Sequence, residues 1–392
     1  MGVRVPAAEL PPAADVVIVG GGVMGTSIAF HLAEAGVRDV LLLERDTLGS
    51  GSTSKAAGGV RGQFSDAVNI QLGARSLELF QDFGRRPGQE IDLHREGYLF
   101  LLSRPEDVTA FERNVAVQNE FGVPSRILDP AEARALSPLI STDGVLAAAY
   151  SPDDGYCAPE SVVLGYAVGA RRYGARLLTN CQVTGMERAA GRSGATTVVT
   201  ERGTVTAGTV ICAAGAWSAA LGAMAGVDLP VRPYRRQVLV TGPLPDRPER
   251  VPMTIDFSTS FYFHGEGRGV LLGMSDPDEP SGFDLSRSDA WLPRLSEAMA
   301  LRAPRLAEAE VVTGWAGLYE VTPDHNALIG EAPGPGRFLY ATGFSGHGFL
   351  QGPAVGEVVR DLYLGRRPFV DVSALSAERF TQGAPRKELN CV

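Results

Sequence analysis

The stretch that most constrains the fold of this chain is a short apolar run followed by three regularly spaced glycines. Residues 16–19 are consecutive β-branched residues that predict a buried parallel strand, and residues 26–35 predict a helix. Between them, Gly20, Gly22 and Gly25 follow a G-x-G-x-x-G spacing. The first glycine permits a tight turn, the second lets a pyrophosphate approach the backbone, and the third lets helix and strand pack closely.

A second apolar strand places an acidic residue where the sugar of a dinucleotide would lie. Residues 40–43 are apolar and are followed by Glu44, which lies 19 residues after Gly25. A carboxylate at this position can bind a ribose hydroxyl, while free N–H groups at the start of the helix face the phosphates. The order of strand, glycines, helix, strand and acid therefore predicts a dinucleotide-binding site.

Composition and charge restrict the class of protein. A chain of 392 residues exceeds the usual size of one hydrophobic core, so two domains are expected. The net charge of −9, without a basic stripe or tail, argues against nucleic-acid binding. No apolar run approaches the roughly 20 residues that cross a membrane, and the N-terminus does not resemble a signal peptide. We expect a cytoplasmic protein with reduced thiols and no metal site, since Cys157, Cys181, Cys212 and Cys391 lie far apart.

Two more glycine-rich loops suggest that distant parts of the chain hold one ligand. Residues 49–62 are small and polar, and residues 343–348 follow the buried strand predicted at 338–343. The first loop could be a surface linker, but the positions of both loops after strands favour backbone contact with a ligand. Nucleotide-binding elements at both ends and in the middle of the chain favour a flavin nucleotide over a simple nicotinamide domain. The other predicted elements are helices at 69–83, 105–121, 130–136, 161–173, 290–300 and 354–364, and strands at 98–102, 176–178, 196–200, 209–215, 236–241 and 269–273.

Five motifs carry a resemblance to a known group of enzymes. They are residues 20–25, Glu44-Arg45, 213–217, 319–324 and 343–348, and they resemble the flavin amine oxidoreductases of the D-amino-acid oxidase and sarcosine oxidase superfamily. Within that group, residues 52–64, 97–101 and 314–319 look most like the β subunits of dye-linked L-proline dehydrogenase and heteromeric sarcosine oxidase. The resemblance covers nearly the whole chain.

The resemblance implies an α/β fold with two domains built from interleaved segments. A Rossmann-like, glutathione-reductase-type FAD-binding domain would comprise residues 13–91, 150–230 and 325–392. An inserted antiparallel-sheet substrate domain would comprise residues 92–149 and 231–324.

The resemblance also implies FAD, bound in an extended conformation and without a covalent link. The cysteine that tethers FAD in monomeric sarcosine oxidases falls at Gly317, which cannot form that link. The isoalloxazine ring would lie between the 52–59 and 343–350 loops, and the backbone of Val183 would contact the adenine. The residues expected to contact FAD are Gly20, Gly22, Val23, Met24, Gly25, Glu44, Arg45, Ser52, Thr53, Ser54, Ala57, Gly58, Val183, Ala214, Gly215, Trp217, Gly343, Gly346, His347, Gly348, Phe349 and Leu350.

The chemistry implied is hydride transfer to flavin N5 from the carbon alpha to an amine nitrogen, which leaves an imine. Arg61 matches the residue that holds the substrate carboxylate, whereas a second family cation falls at the apolar Leu350. Tyr262 and Tyr319 match substrate-side tyrosines, although either could be a core aromatic residue. His347 is as well suited to bracing its loop as to touching flavin.

The electron acceptor is left open among a partner subunit, a quinone and oxygen. The lysine that activates oxygen in related oxidases falls at about Leu271, which favours a dehydrogenase acting on a small amine or amino acid of the L-proline or sarcosine type. One alternative is an oxidase that uses oxygen and acts on a glycine-, pipecolate- or N-methyl-type substrate. Another is that the chain is the FAD-binding subunit of a heteromeric complex.

Overall fold

Two large β-sheets, one mostly parallel and one mostly antiparallel, organise the protein. The computed structural model describes residues 9–188, 194–334, 336–383 and 386–390. Its strands are β1 (Ala13–Val19), β2 (Val40–Leu43), β3 (Gly59–Val60), β4 (Tyr98–Leu102), β5 (Arg126–Leu128), β6 (Ala147–Ser151), β7 (Gly155–Tyr156), β8 (Arg176–Leu178), β9 (Val183–Arg188), β10 (Thr196–Thr200), β11 (Gly203–Cys212), β12 (Arg232–Thr241), β13 (Met253–Asp256), β14 (Tyr262–Glu266), β15 (Gly269–Met274), β16 (Val311–Val321), β17 (Leu328–Ala332) and β18 (Arg337–Thr342). Its helices are α1 (Val23–Glu34), α2 (Ala67–Gln81), α3 (Pro105–Glu120), α4 (Pro130–Leu136), α5 (Pro159–Arg172), α6 (Ser218–Met224), α7 (Leu292–Arg302), α8 (Gly348–Tyr363) and α9 (Arg379–Gln382), with short 3₁₀ turns at Thr53–Lys55, Gly215–Trp217, Pro304–Leu306 and Ser373–Leu375.

The first sheet has the strand order β17-β18-β11-β1-β2-β8, and its five strands from β18 to β8 run parallel. Alternate residues of β1 enter different cores. Val16 and Ile18 pack with α1, α2, α5 and α8, whereas Val17 and Val19 pack with β9, β10 and α6. A strand buried on both faces must be apolar throughout, which explains the continuous apolar run in the sequence.

Glycines let α8 pack closely against α1. A Cβ at Gly352 would lie 2.8 Å from the Cγ2 of Val23, and one at Gly356 would crowd Ser27 and His31. The helix α8 begins at Gly348 rather than at residue 354, where the sequence placed it. Glycine weakens an isolated helix, but here burial of the glycine face compensates for low helix propensity.

The second sheet has the order β16-β12-β15-β14-β13-β4-β6-β5 and is antiparallel except where β4 pairs with β13. The predicted fold class, a parallel nucleotide-type sheet with an antiparallel sheet inserted, is confirmed. The four boundaries between the predicted domain segments remain a prediction. The one between residues 149 and 150 falls inside β6, a strand of the second sheet.

Candidate active site

A long cleft runs from the carboxyl end of the parallel strands to the face of the second sheet. At its start, Gly20 has φ +113° and lies so close to Ala213 that any side chain would overlap the carbonyl oxygen of Ala213. A Cβ at Gly25 would overlap the carbonyl oxygen of Gly20. The turn between β1 and α1 is therefore restricted to glycine on steric grounds.

Glu44 follows β2 and is oriented against this turn. Its Oε2 accepts a hydrogen bond from the N–H of Gly21 at 2.6 Å, and its Oε1 accepts one from the N–H of Asp46 at 2.9 Å. Each carboxylate oxygen can accept further hydrogen bonds. The side chain lines the cleft, where it is held in place to accept a ligand hydroxyl.

An aromatic and cationic stack forms the wall beside Glu44. The guanidinium carbon of Arg45 lies 3.7 Å from the ring centroid of Trp217, and the ring of Phe283 stacks against Trp217 at 5.4 Å. Val183, at the start of β9, lines the same end. This end of the cleft suits a planar, uncharged ring system bordered by polar groups.

The loop at 52–58 is fixed to the second sheet by three hydrogen bonds. Ser52 Oγ donates to the carbonyl of Leu318 at 2.7 Å, and Trp315 Nε1 donates to the carbonyl of Lys55 at 3.1 Å. The ring of His264 lies 2.8 Å from the carbonyl oxygen of Ala57. At Gly317 a Cβ would approach the Cβ of Lys55 to 2.5 Å, so the strand needs glycine where it passes under the loop.

The second glycine-rich loop connects β18 to α8. Gly343, Ser345 and Gly346 all have positive φ values, and His347 immediately precedes the helix. The buried His347 ring meets Phe64 edge-on, with 5.0 Å between ring centroids. Burial and the nearby charge of Arg61 hold the pKa of His347 well below its usual value, so the ring is neutral at pH 7.

Arg61 is buried beside the end of the cleft that faces the second sheet. Only 2% of the residue is exposed, and its terminal nitrogens donate to the carbonyl of Gln63 and, at 2.6 Å, to that of Asn390. Its guanidinium carbon lies 4.2 Å from the ring centroid of Phe64 and 5.8 Å from that of Tyr98. No carboxylate among the described residues forms an ion pair with it. A buried cation without a counter-ion favours binding of an anionic ligand.

Asp154 anchors the backbone that carries Arg61. Its Oδ1 accepts from the N–H of Gly62 at 3.0 Å, and its Oδ2 accepts from Nε2 of Gln63 at 3.1 Å. The residue is fully buried, and burial raises its pKa to about 7. No local sequence pattern marks this residue, because its partners are about 90 positions away.

Three tyrosines line the cleft near Arg61. Burial raises the pKa of Tyr98 to about 12 and that of Tyr262 well above its ordinary value of 10. Tyr319 lies on β16, where its ring approaches Gly346. The phenols of Tyr98 and Tyr262 therefore stay protonated at pH 7 and are hydrogen-bond donors rather than bases.

Glu320 is a further cleft residue that sequence reasoning missed. Its Oε1 accepts from the N–H of Phe344 at 3.4 Å, whereas its Oε2 is shielded from solvent and has no hydrogen-bond partner among the described residues. Burial raises its pKa to about 7. The Oε2 atom, which lies next to Gly215, provides an acceptor for a ligand hydroxyl.

The cleft brings together most of the residues that the sequence singled out. Arg61, Tyr262 and Tyr319 all line it. The predicted cofactor residues that line it are Gly20, Gly22, Val23, Met24, Glu44, Arg45, Ser52, Thr53, Ala57, Gly58, Val183, Ala214, Gly215, Trp217, Gly346, His347, Gly348, Phe349 and Leu350. Gly25, Ser54 and Gly343 do not line the cleft, and neither does Leu271, which is buried in β15. The individual roles remain predictions.

The structure also describes three cysteine thiols, the arrangement of possible metal ligands and the lengths of the apolar helices. Cys157, Cys181 and Cys212 are buried free thiols, whereas Cys391 lies outside the described residues. Within the described ranges, no group of three or more potential ligand side chains is placed to hold a metal ion. None of the helices in that part of the chain is both long and apolar enough to traverse a lipid bilayer.

The geometry of the cleft is that of a flavin-dependent oxidoreductase. Residues 15–362 match the family of FAD dependent oxidoreductases (DAO), and the chain belongs to this family. It is thus an FAD-dependent oxidoreductase, and the resemblance drawn from its motifs is confirmed.

Three similar proteins illustrate the relationship. The solved structure of L-proline dehydrogenase from P. horikoshii is 35% identical, with a TM-score of 0.90 over 96% of this chain and 100% of that one. Glycine oxidase from Geobacillus kaustophilus is 28% identical, with a TM-score of 0.82 over 93% and 98%. Mitochondrial dimethylglycine dehydrogenase of Rattus norvegicus is 31% identical over 94% of this chain and 45% of its own length. The chain thus spans less than half of that relative.

Proposed function

We propose that the protein oxidises a small secondary amine or amino acid, of the L-proline or sarcosine type, to an imine. The observation that carries this proposal is the buried guanidinium of Arg61, which has no carboxylate partner among the described residues. It lines the cleft between the two loops expected to flank the flavin. A planar guanidinium can hold a carboxylate with two parallel hydrogen bonds. The similar proteins, an L-proline dehydrogenase, a glycine oxidase and a dimethylglycine dehydrogenase, support the same class of substrate.

The residues of the cleft fit noncovalent FAD. The glycine turn after β1 would receive the pyrophosphate, Glu44 a ribose hydroxyl, and the stack of Arg45 and Trp217 would border the adenosine. The unpaired Oε2 of Glu320 offers an acceptor for a hydroxyl of the ribityl chain. When bound, FAD supplies a hydride acceptor for the carbon alpha to the amine nitrogen.

The side chains of the cleft would orient the substrate rather than remove its proton. Tyr98 and Tyr262 remain protonated at pH 7, because burial raises the pKa of both phenols. His347 is neutral but buried against Phe64. We infer that the amine enters in its neutral form and that hydride transfer depends on positioning, with Arg61 holding the carboxylate and the tyrosines lining the pocket.

A dehydrogenase is favoured over an oxidase. Lys55 is the one lysine among the residues that line the described cleft, and the oxygen-activating lysine of related oxidases matches about Leu271, an apolar residue buried in β15. The acceptor would then be a partner subunit or a quinone. The cytoplasmic location expected from the sequence remains part of this proposal.

Anaerobic mixing of the purified holoprotein with a panel of amines tests the function. The panel contains L-proline, sarcosine, pipecolate, glycine and D-alanine, and the visible flavin band is followed before and after air is admitted. We expect bleaching by a secondary amine and slow recovery in air. Immediate recovery would assign an oxidase, and a flavin that no amine bleaches would refute amine oxidation.

A further inference from the structure

A second guanidinium, that of Arg236, faces the same cleft from the second sheet. Arg236 lies on β12 opposite Gly317 of β16, and its side chain lines the cleft. Its Nη1 donates to the carbonyl of Arg235 at 2.8 Å. Its Nε is shielded from solvent and has no hydrogen-bond partner among the described residues.

The charge of Arg236 is not neutralised by the protein. No carboxylate in the described ranges forms an ion pair with it, in contrast to the adjacent Arg235, which binds Glu279 and Asp284. The carboxylate of Glu320 also lines the cleft but accepts from the backbone of Phe344 instead. A partly buried cation with an unsatisfied donor is costly unless a ligand supplies an acceptor.

Arg236 lies at the substrate end of the cleft, away from the adenosine end. Its guanidinium carbon is 5.2 Å from the ring centroid of Tyr319, and its charge also acts on Tyr262. Tyr262 in turn packs against the hydrophobic cluster that contains Tyr98, which neighbours Arg61. One cluster of three tyrosines therefore has Arg61 beside Tyr98 and Arg236 beside Tyr319.

We propose that Arg236 binds a second acidic group of the substrate, so that the preferred amine carries two carboxylates. This inference rests on the proposed amine oxidation. One carboxylate would pair with Arg61 and the other with Arg236, with the reacting amine held between them among the tyrosines. Two cations without protein counter-ions in one cleft are matched in charge by a dianionic ligand.

Rapid anaerobic mixing of the holoprotein with matched amines tests the proposal. Sarcosine carries one carboxylate, whereas iminodiacetate, N-methylaspartate and N-methylglutamate carry two. The dependence of the bleaching rate on amine concentration gives a Kd for each amine, separately from the limiting rate. We expect at least one dicarboxylate to bind about tenfold more tightly than sarcosine, the effect of one charge-assisted hydrogen-bonded contact.

Variants identify the residue responsible for the ratio between the Kd of sarcosine and the Kd of the dicarboxylate. Arg236→Gln should bring the ratio close to one, and Arg236→Lys should retain part of it, because lysine keeps the charge without the planar fork. Arg61→Gln should weaken both classes of ligand and leave the ratio in place.

Two results would overturn the proposal. In one, no dicarboxylate binds more tightly than sarcosine. In the other, Arg236→Gln still binds the dicarboxylate more tightly than sarcosine. A shifted flavin reduction potential in that variant would then indicate that Arg236 acts on the flavin. Failure of the proposed function is distinct, because no amine of either class would then bleach the flavin.

Discussion

At the scale of single residues, the environment of Arg61 sets the character of the site. The guanidinium is held by two backbone carbonyls and surrounded by aromatic rings, so it is fixed before a ligand arrives. A preorganised donor costs little conformational entropy on binding.

We therefore expect Arg61→Ala to raise KM for a carboxylated amine by about tenfold or more, since a charge-assisted hydrogen bond contributes roughly 1.5–3 kcal/mol. The KM for a neutral amine such as pyrrolidine should change far less. Steady-state kinetics on both amines provides the measurement. The control is Arg337→Ala, which removes an exposed ion pair with Glu331 outside the cleft. Equal effects of Arg61→Ala on the two amines would contradict the role of Arg61.

Asp154 makes the free energy of unfolding depend on pH. Burial raises its pKa from about 4 to about 7, so the folded protein binds this proton more tightly than the unfolded chain does. The contribution of the protonated carboxyl to the free energy of unfolding is complete below about pH 4 and is lost as the pH rises towards 7.

Comparison of the wild type with Asp154→Asn isolates this contribution. The difference in unfolding free energy, wild type minus variant, should fall steadily between about pH 4 and pH 7. Urea denaturation of both proteins at several pH values measures it. A difference that stays constant over that interval would show that Asp154 is ionised at a normal pKa in the folded protein.

At the scale of elements, a segment near the end of the described chain supports the side chain of Arg61. Glu388 is fully buried and accepts from Ser65 Oγ at 2.6 Å, Ser65 N at 2.9 Å and Asn69 Nδ2 at 2.9 Å. Two residues later, the carbonyl of Asn390 binds Arg61. Residues 386–390 are therefore a positioning element for the guanidinium.

Replacement of Glu388 by alanine should lower the free energy of unfolding by about 3 kcal/mol, because several buried donors lose their acceptor. It should also raise KM for carboxylated amines, because Arg61 loses the support of Asn390. Chemical denaturation and kinetics measure the two effects. The exposed Glu112 on α3 provides the control, and its change to alanine should alter stability by less than about 0.5 kcal/mol. A Glu388→Ala protein as stable as the control would contradict this role.

Loops and termini were harder to anticipate than strands and helices. The parallel strands follow from continuous apolar runs and the amphipathic helices from spacing, so β2, β4 and α4 lie where the sequence placed them. The docking of residues 386–390 depends on hydrogen bonds across more than 300 positions, which local patterns do not record.

At the scale of the whole molecule, the cleft joins the two sheets through a single ligand site. The loop at 52–58 is bonded to β16, while the glycine turn belongs to β1 and α1. A ligand that spans both sheets binds only the folded state and not the unfolded chain. FAD at a hundred times its Kd should therefore add about 2.7 kcal/mol to the free energy of unfolding.

We also expect FAD to be released completely when the holoprotein is denatured, since Gly317 has no side chain to form a covalent link. Acid precipitation followed by absorbance of the supernatant and the pellet makes the measurement. Yellow colour that stays with the precipitated chain would contradict noncovalent binding.

The sequence by itself determined the nucleotide-binding half of this protein. There the glycines, the apolar strand and Glu44 lie close together in the chain, and Gly25 and Glu44 are constrained by contacts within that segment, with Gly20 and Gly21. Only the tertiary structure added further candidate residues to the active site. Arg236, Asp154 and Glu320 acquire their properties from burial and from partners far along the chain, because desolvation and the presence or absence of a counter-ion are set by the packing of the two sheets.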